Sequence, residues 1–179
     1  MVYILLGKGF EEIEAVGPLD ILRRGGVEAA FVGLGGMTVE GAHGIAINCD
    51  VAIEDIENEH VDMLVIPGGL GGVESIMNSR AAMELINNAG KRGTALAAIC
   101  AGPSVLHKLG LLNGIKAVCY PGMEEKMPGV LFGESAACID GKIITGRGPG
   151  AALEFGFEIL RYFKGDKVVE ELRKSMVCA

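Results

Sequence analysis

The sequence predicts an α/β protein, a flavodoxin-like, doubly wound α/β/α sandwich with a mostly parallel central sheet. Three observations carry that reading. Apolar runs such as Val2–Leu6, Val27–Val32 and Met63–Ile66 have the continuous character of strands buried on both faces. Segments with helical spacing alternate with them. Several runs end in glycine-rich turns, and the strand ends of open α/β sheets are where ligands bind.

Val2–Leu6 is the first strand, closed by Gly7-Lys8-Gly9. The next segment opens with Glu11, Glu12 and Glu14 and ends with Arg23-Arg24-Gly25-Gly26. Acids early and arginines late suit a helix dipole, and glycines end the helix. Pro18 stands four residues after Glu14, so its ring collides with the Glu14 carbonyl. An irregular first turn is expected there, and Glu14 need not point where its acidic neighbours point. A solvated helix start accounts for Glu11 and Glu12. Val27–Val32 is the second strand, followed by Gly33–Gly36. Thr38–Cys49 alternates weakly and suits a small antiparallel excursion that carries His43 at a surface or an interface. Asp62-Met-Leu-Val-Ile is the next strand and runs into Pro67-Gly68-Gly69.

Ser79 to Ala89 reads as an amphipathic helix, with Ala82, Met83, Leu85 and Ile86 apolar. Ile115–Cys119 is another short strand, ending at Tyr120-Pro121-Gly122. Glu134–Ile139 and Lys142–Thr145 form a hairpin around Asp140-Gly141, a strong turn dipeptide. Gly146-Arg147-Gly148-Pro149-Gly150 opens a long helix from Ala151 to Phe163, with a short helix over Asp166–Lys174 after it. Met176–Ala179 is a free or partner-packed tail. With neither repeat nor linker, residues 1–179 read as a single domain.

Composition excludes several functions. The formal charge of −7 argues against phosphate-backbone binding, and 5% aromatics without Trp disfavour base-stacking surfaces. The Val2–Leu6 run is too short for a signal peptide and lacks a basic flank. The uncharged stretch from Gly93 to His107 is too short and too broken by Gly and Pro to span a bilayer. A cytoplasmic location is expected. Five scattered cysteines without a C-x-x-C suit reduced thiols, and the three histidines lack metal-ligand spacing. No metal is expected. Without a G-x-G-x-x-G after Val32 or a Walker lysine, no nucleotide cofactor is expected either.

Thr94-Ala-Leu-Ala-Ala-Ile-Cys100-Ala-Gly-Pro-Ser104 is the stretch around which the chain is organised. Its first half is a buried strand. Its second half turns into a helix, with Pro103 in the first turn, where a missing N–H costs nothing. Cys100 thus lies between a strand end and a helix N-terminus, where unpaired N–H groups and the helix dipole stabilise a thiolate. Ala101 and Gly102 are small enough for a sharp turn. The same context also suits a plain buried cysteine.

Three strand ends converge on one sheet edge: Pro67-Gly68-Gly69, Ile99-Cys100-Ala101-Gly102-Pro103 and Gly146-Arg147-Gly148-Pro149-Gly150. With Gly9-Phe10-Glu11-Glu12-Ile13-Glu14, the set resembles the ThiJ/PfpI superfamily, and within it the Parkinsonism-associated deglycase branch and its bacterial relatives. The resemblance spans nearly the whole chain in the same order. It implies that Cys100 is the reactive cysteine of a nucleophile elbow and that Glu14 hydrogen-bonds its sulfur. It also implies a small oxyanion-type pocket formed by the N–H groups of Gly69 and Ala101, and a homodimer with its reactive sites near the interface.

The sequence departs from that pattern in three places. Proteases of the superfamily carry His directly after the nucleophile, where this chain has Ala101, so proteolysis is not expected. Tyr120 stands where the human-type branch has a histidine, which leaves Glu14 as the general acid/base candidate. His43 replaces an arginine of an interface anion site. The resemblance implies a cofactor-independent glyoxalase or deglycase acting on small dicarbonyls such as methylglyoxal. The rival reading is a redox sensor or chaperone-like protein whose Cys100 is oxidised to a sulfinate.

Overall fold

In a computed structural model, which describes residues 1–56 and 60–178, a central sheet collects most of the apolar runs. Its strands are β1 (Val2–Leu6), β2 (Ala29–Gly33), β5 (Val51–Ala52), β6 (Met63–Ile66), β7 (Ala95–Ile99), β10 (Ala137–Asp140) and β11 (Ile143–Gly146). Among the described residues they lie in the order β10-β11-β7-β6-β1-β2-β5. All neighbours are parallel except β10 and β11, the hairpin around Asp140-Gly141. Residues of β1, β6 and β7 are buried almost throughout, as strands covered on both faces must be. The chain winds outward from β1 in both directions, so the strand order reverses between β1 and β6 and opens a crevice at their C-terminal ends.

Helices α1 (Glu12–Arg24), α2 (Leu70–Asn78), α3 (Arg80–Arg92), α4 (Pro103–Lys108) and α5 (Ala152–Ser175) cover the sheet. Ser79 caps α3 by accepting from Ala82 N–H, and Gly93 closes it in the left-handed region. The two helices expected at the C-terminus are both present within α5, which is broken at Gly165, where a φ of +78° and a ψ of 175° are not helical. Strands β3 (Thr38–Glu40) and β4 (Ala46–Asn48) form the expected antiparallel excursion, with His43 in its turn. The strand expected over Ile115–Cys119 shrinks to β8 (Lys116–Ala117), which among the described residues pairs with β9 (Leu131–Phe132) outside the central sheet. Ala179 of the expected tail lies outside the described residues. Among the described residues, no helix is long and apolar enough to cross a membrane.

Two local expectations change. Helix α1 runs through Pro18 unbroken rather than starting irregularly. Helical spacing alone separates its carboxylates, because residues two apart point about 200° away from each other. Helix α2 goes unread in the sequence because Gly71 and Gly72 look like loop. Those glycines are steric, since a Cβ on Gly72 would lie 2.6 Å from Phe10 Cα and 2.9 Å from Phe10 N. Close approach of α2 to the β1–α1 turn needs the missing side chain.

That contact reverses an ordinary rule. Gly→Ala inside a helix normally stabilises by about 1 kcal/mol. Gly72→Ala meets backbone instead and is expected to destabilise by about 1–3 kcal/mol, the usual cost of overpacking. Urea unfolding of both proteins decides the sign, and a more stable Gly72→Ala would refute the steric account.

Candidate active site

Three chain segments build the site at the C-terminal ends of β6 and β7. The β7 strand ends at Cys100, whose φ is +63°, a left-handed conformation for a residue with a side chain. Such backbone costs on the order of 1–3 kcal/mol and persists only where neighbours hold it. Cys100 N–H donates to the Gly146 carbonyl (2.9 Å), and Tyr120 N–H donates to the Cys100 carbonyl (3.0 Å). The turn is thus pinned on both sides, and the thiol leaves the strand plane toward the crevice. Cys100 is 9% exposed.

Helix α1 supplies the carboxyl. Glu11 caps the helix, its Oε2 accepting from Glu14 N–H at 2.9 Å. Glu14, one turn in, is fully enclosed. Its Oε2 accepts from Gly68 N–H at 2.7 Å, and the carboxyl engages the Cys100 sulfur. Among the described residues, Oε1 has no partner of regular hydrogen-bond geometry. Gly68 has to be glycine here. A Cβ would fall 2.5 Å from Glu14 Oε2 and 2.7 Å from Cys100 Cβ.

Burial raises the Glu14 carboxyl to about 7, against the pull of the Gly68 N–H and the Cys100 contact. Burial also pushes the Cys100 thiol up, as does an ionised Glu14, to about 12, while the N–H groups of Ala101 and Gly69 pull it down. The strand-to-helix turn therefore does not by itself make this thiol acidic, contrary to the expectation from sequence. Helix α4 spans only Pro103–Lys108, and enclosure beside a carboxylate outweighs its dipole. What sets Cys100 apart from Cys49 and Cys119, both buried and raised to about 11, is the pair of backbone donors and the carboxyl at its sulfur.

Above the thiol opens a cleft of about 450 Å³ whose walls include Cys100, Gly69, Ala101, Tyr120, Glu11, His43, Met123 and Lys126. All the residues singled out from the sequence meet here. Cys100, Gly69, Ala101 and Tyr120 line the cleft, and Glu14 lies beneath it. Gly69, with φ +82°, caps α2 and turns its N–H to the sulfur. Tyr120 is 49% exposed and forms the wall toward a neighbouring cleft that holds Arg147, whose guanidinium is tied to the Glu134 carbonyl at 2.7 Å.

Glu12 is not the solvated residue expected of a helix start. It is buried, with Oε1 accepting from His43 N–H and Oε2 against His43 Nδ1, both at 2.7 Å. Burial works to raise the Glu12 carboxyl, but the two His43 contacts hold it below the usual range, and Glu12 raises His43 in turn. This pair joins residues 31 apart in sequence across a hairpin, and no local pattern signals it. Glu11, Glu12 and His43 bring potential ligand atoms within 4.8 Å of one another. Both Glu12 oxygens are already occupied by His43, so the cluster is satisfied without a cation.

Fold and site together define an α/β sandwich with a strained cysteine at a strand-to-helix turn and a buried carboxyl against its sulfur. The DJ-1/PfpI family model matches residues 1–162, and the chain belongs to that family. It is 33% identical to Protein dj-1beta of Drosophila melanogaster, covering 98% of this chain and 96% of that protein. It is 34% identical to the glutathione-independent glyoxalase DJR-1.2 of Caenorhabditis elegans, covering 94% of this chain and 91% of that one. The solved structure of oxidized Toxoplasma gondii DJ-1 superposes with a TM-score of 0.94 at 33% identity, covering 99% of this chain and 98% of that one.

The raised Glu14 carboxyl makes stability depend on pH. Its folded value, about 7, exceeds the ordinary 4.5 of the unfolded chain, so the native state holds the extra proton between those values. Stability is then greatest below that window and falls as pH rises through it, by up to about 3 kcal/mol. Urea midpoints measured from about pH 4 to about pH 8 are expected to show this slope in wild type and to lose it in Glu14→Gln. An unchanged slope in the variant would place the titration elsewhere.

Proposed function

We propose that the protein is a cysteine-dependent, cofactor-independent enzyme that converts methylglyoxal-like dicarbonyls to hydroxy acids, with Cys100 as nucleophile and Glu14 as acid and base. The observation that carries this is the enclosed Glu14 carboxyl against a strained Cys100 at the floor of a cleft. Naming of a 34% identical relative as a glutathione-independent glyoxalase supports the choice of chemistry.

Two adjacent groups that both resist ionisation share one proton between about 7 and about 12. Glu14, at about 7 against about 12 for Cys100, is the stronger acid of the two, so the shared proton rests on sulfur and passes to the Glu14 carboxylate as Cys100 attacks. The thiolate adds to the aldehyde carbon, and Glu14 gives its proton to the developing alkoxide. The resulting carboxylate takes the hydrogen from that carbon and returns it to the adjacent one, while the hydroxyl proton moves to the neighbouring carbonyl oxygen, which leaves a thioester of the hydroxy acid on Cys100. Hydrolysis releases the acid and restores the thiolate. Gly69 and Ala101 N–H groups steady the sulfur, and the Tyr120 phenol is a poor base at neutral pH.

Lactate formed from methylglyoxal without glutathione is the test. Cys100→Ser is expected to abolish it, Glu14→Gln to lower it by about 10²–10⁴-fold, and Tyr120→Phe to cost far less. Since the reactive pair carries one proton, the wild-type rate is expected to rise as pH passes about 7. A wild type no faster than Cys100→Ser sinks the enzyme reading. The sulfinate-sensor reading then takes its place, supported by Glu14 Oε1, which lacks a partner among the described residues and when protonated donates to a sulfinate, and by the oxidised state of the Toxoplasma relative.

Residues 1–179 are proposed to act as one domain and to pair as a cytoplasmic homodimer. Ile13 (57% exposed), Val16 (41%) and Ile45 (55%) form an apolar groove with Ile47 beside the cysteine cleft. Contiguous apolar surface of this kind marks a docking face. Sedimentation is expected to give a dimer for wild type and a monomer for Ile13→Glu combined with Ile45→Lys. A variant that remains dimeric would move the interface elsewhere.

A further inference from the structure

The covalent reading of Cys100 leaves one demand unmet, namely a base for the water that frees the acyl group. Glu14 is enclosed away from solvent, with one oxygen on Gly68 and the sulfur beside it. His43 stands in the opposite position. It lines the same cleft as Cys100 but on its open side, with a side chain 69% exposed to water.

Its geometry is that of an imidazole held for proton transfer. Glu12 is a buried carboxylate whose oxygens can only accept, so the Nδ1 facing Oε2 at 2.7 Å must carry a proton. The same carboxylate holds the His43 backbone N–H at 2.7 Å, fixing the turn as well as the ring. The neutral ring is thereby restricted to the tautomer with its lone pair on Nε2, which no hydrogen bond occupies among the described residues. A carboxylate behind one nitrogen makes the other a stronger base.

Resting on the covalent chemistry proposed above, we infer that His43 is the general base that activates water for hydrolysis of acyl-Cys100, with Glu12 as its positioning residue. The water oxygen bonds to the acyl carbon while its proton passes to His43 Nε2. The carbon–sulfur bond then breaks with its electron pair on sulfur, the thiolate returns to the Gly69 and Ala101 N–H groups, and the carboxylic acid leaves. His43 returns its proton to solvent. Water is the only co-reactant.

The charged and titratable groups facing His43 are Glu12 and Glu11 from α1, with Lys126, Tyr120 and Cys100 across the cleft. Glu12 raises the ring above its ordinary 6.5, first through the hydrogen bond and then through its charge. Neutral, water-activating His43 therefore accumulates only as pH rises past that raised value.

The test separates this step from dicarbonyl turnover by acylating Cys100 directly with p-nitrophenyl acetate and following loss of the acetyl group by intact-protein mass spectrometry. Deacylation is expected to slow by about 10²-fold in His43→Gln, the lower end for a positioned base, while the acylation burst persists. Glu12→Gln should keep the base but move the pH midpoint of deacylation downward, which a merely structural contact would not do. Deacylation within about twofold of wild type in His43→Gln, or a midpoint unmoved in Glu12→Gln, overturns the proposal. So does a wild type that never acquires or never sheds the acetyl group. Wild-type deacylation that depends on His43, in a protein that makes no lactate, would refute the dicarbonyl substrate and leave the base in place.

Discussion

Enclosure of the Glu14 carboxyl is the constraint on which the cysteine end of the sheet depends. A carboxyl removed from water needs partners or a proton. Here it has the Gly68 N–H and the Cys100 sulfur, with one oxygen unmatched among the described residues. Each surrounding feature serves that enclosure. Gly68 leaves room for the carboxyl, the cap from Glu11 fixes the first turn of α1, and the hydrogen bonds on either side of Cys100 hold its strained backbone in place. Strain and unmatched polarity sit together because the packed sheet beneath them can hold both.

Two carboxylates on one helix turn take opposite roles through environment alone. Glu14 points inward, finds one N–H donor and a sulfur, and holds a proton up to about 7. Glu12 points the other way and finds an imidazole and an N–H, so it stays ionised. Their separation is helical geometry, about 200° for two residues. One helix start thus carries a proton-holding group beneath the cleft and a charged one at its rim.

The β3–β4 hairpin couples the rim to the rest of the molecule. It is tied to α1 through Glu12 and His43, and to the β1–α1 turn through Ala42 N–H on the Phe10 carbonyl at 2.8 Å. Ile45 and Ile47 on the same hairpin face the apolar groove. A second copy seated there would bear on the element that presents His43. Access to the thiol and assembly therefore share one small sheet.

The sequence alone determined most of the sheet's strands and the turn that carries Cys100; the two-residue β5 went unread, and the placement of Glu14 at the sulfur came from the family resemblance. Apolar runs, Gly/Pro punctuation and helix-end charges are local signals, and strands buried on both faces leave little ambiguity. Helix α2 was hidden because Gly71 and Gly72 answer to a contact with Phe10 rather than to their own backbone preference. Strand β8 was overextended because an apolar run does not say whether a neighbour is present to pair with it. The acidity of the thiol was misjudged because burial and the charge of Glu14 are properties of the assembled site. Only the tertiary structure could decide that Glu12 is buried and bound to His43, since that contact bridges 31 residues and depends on how a hairpin lies against a helix.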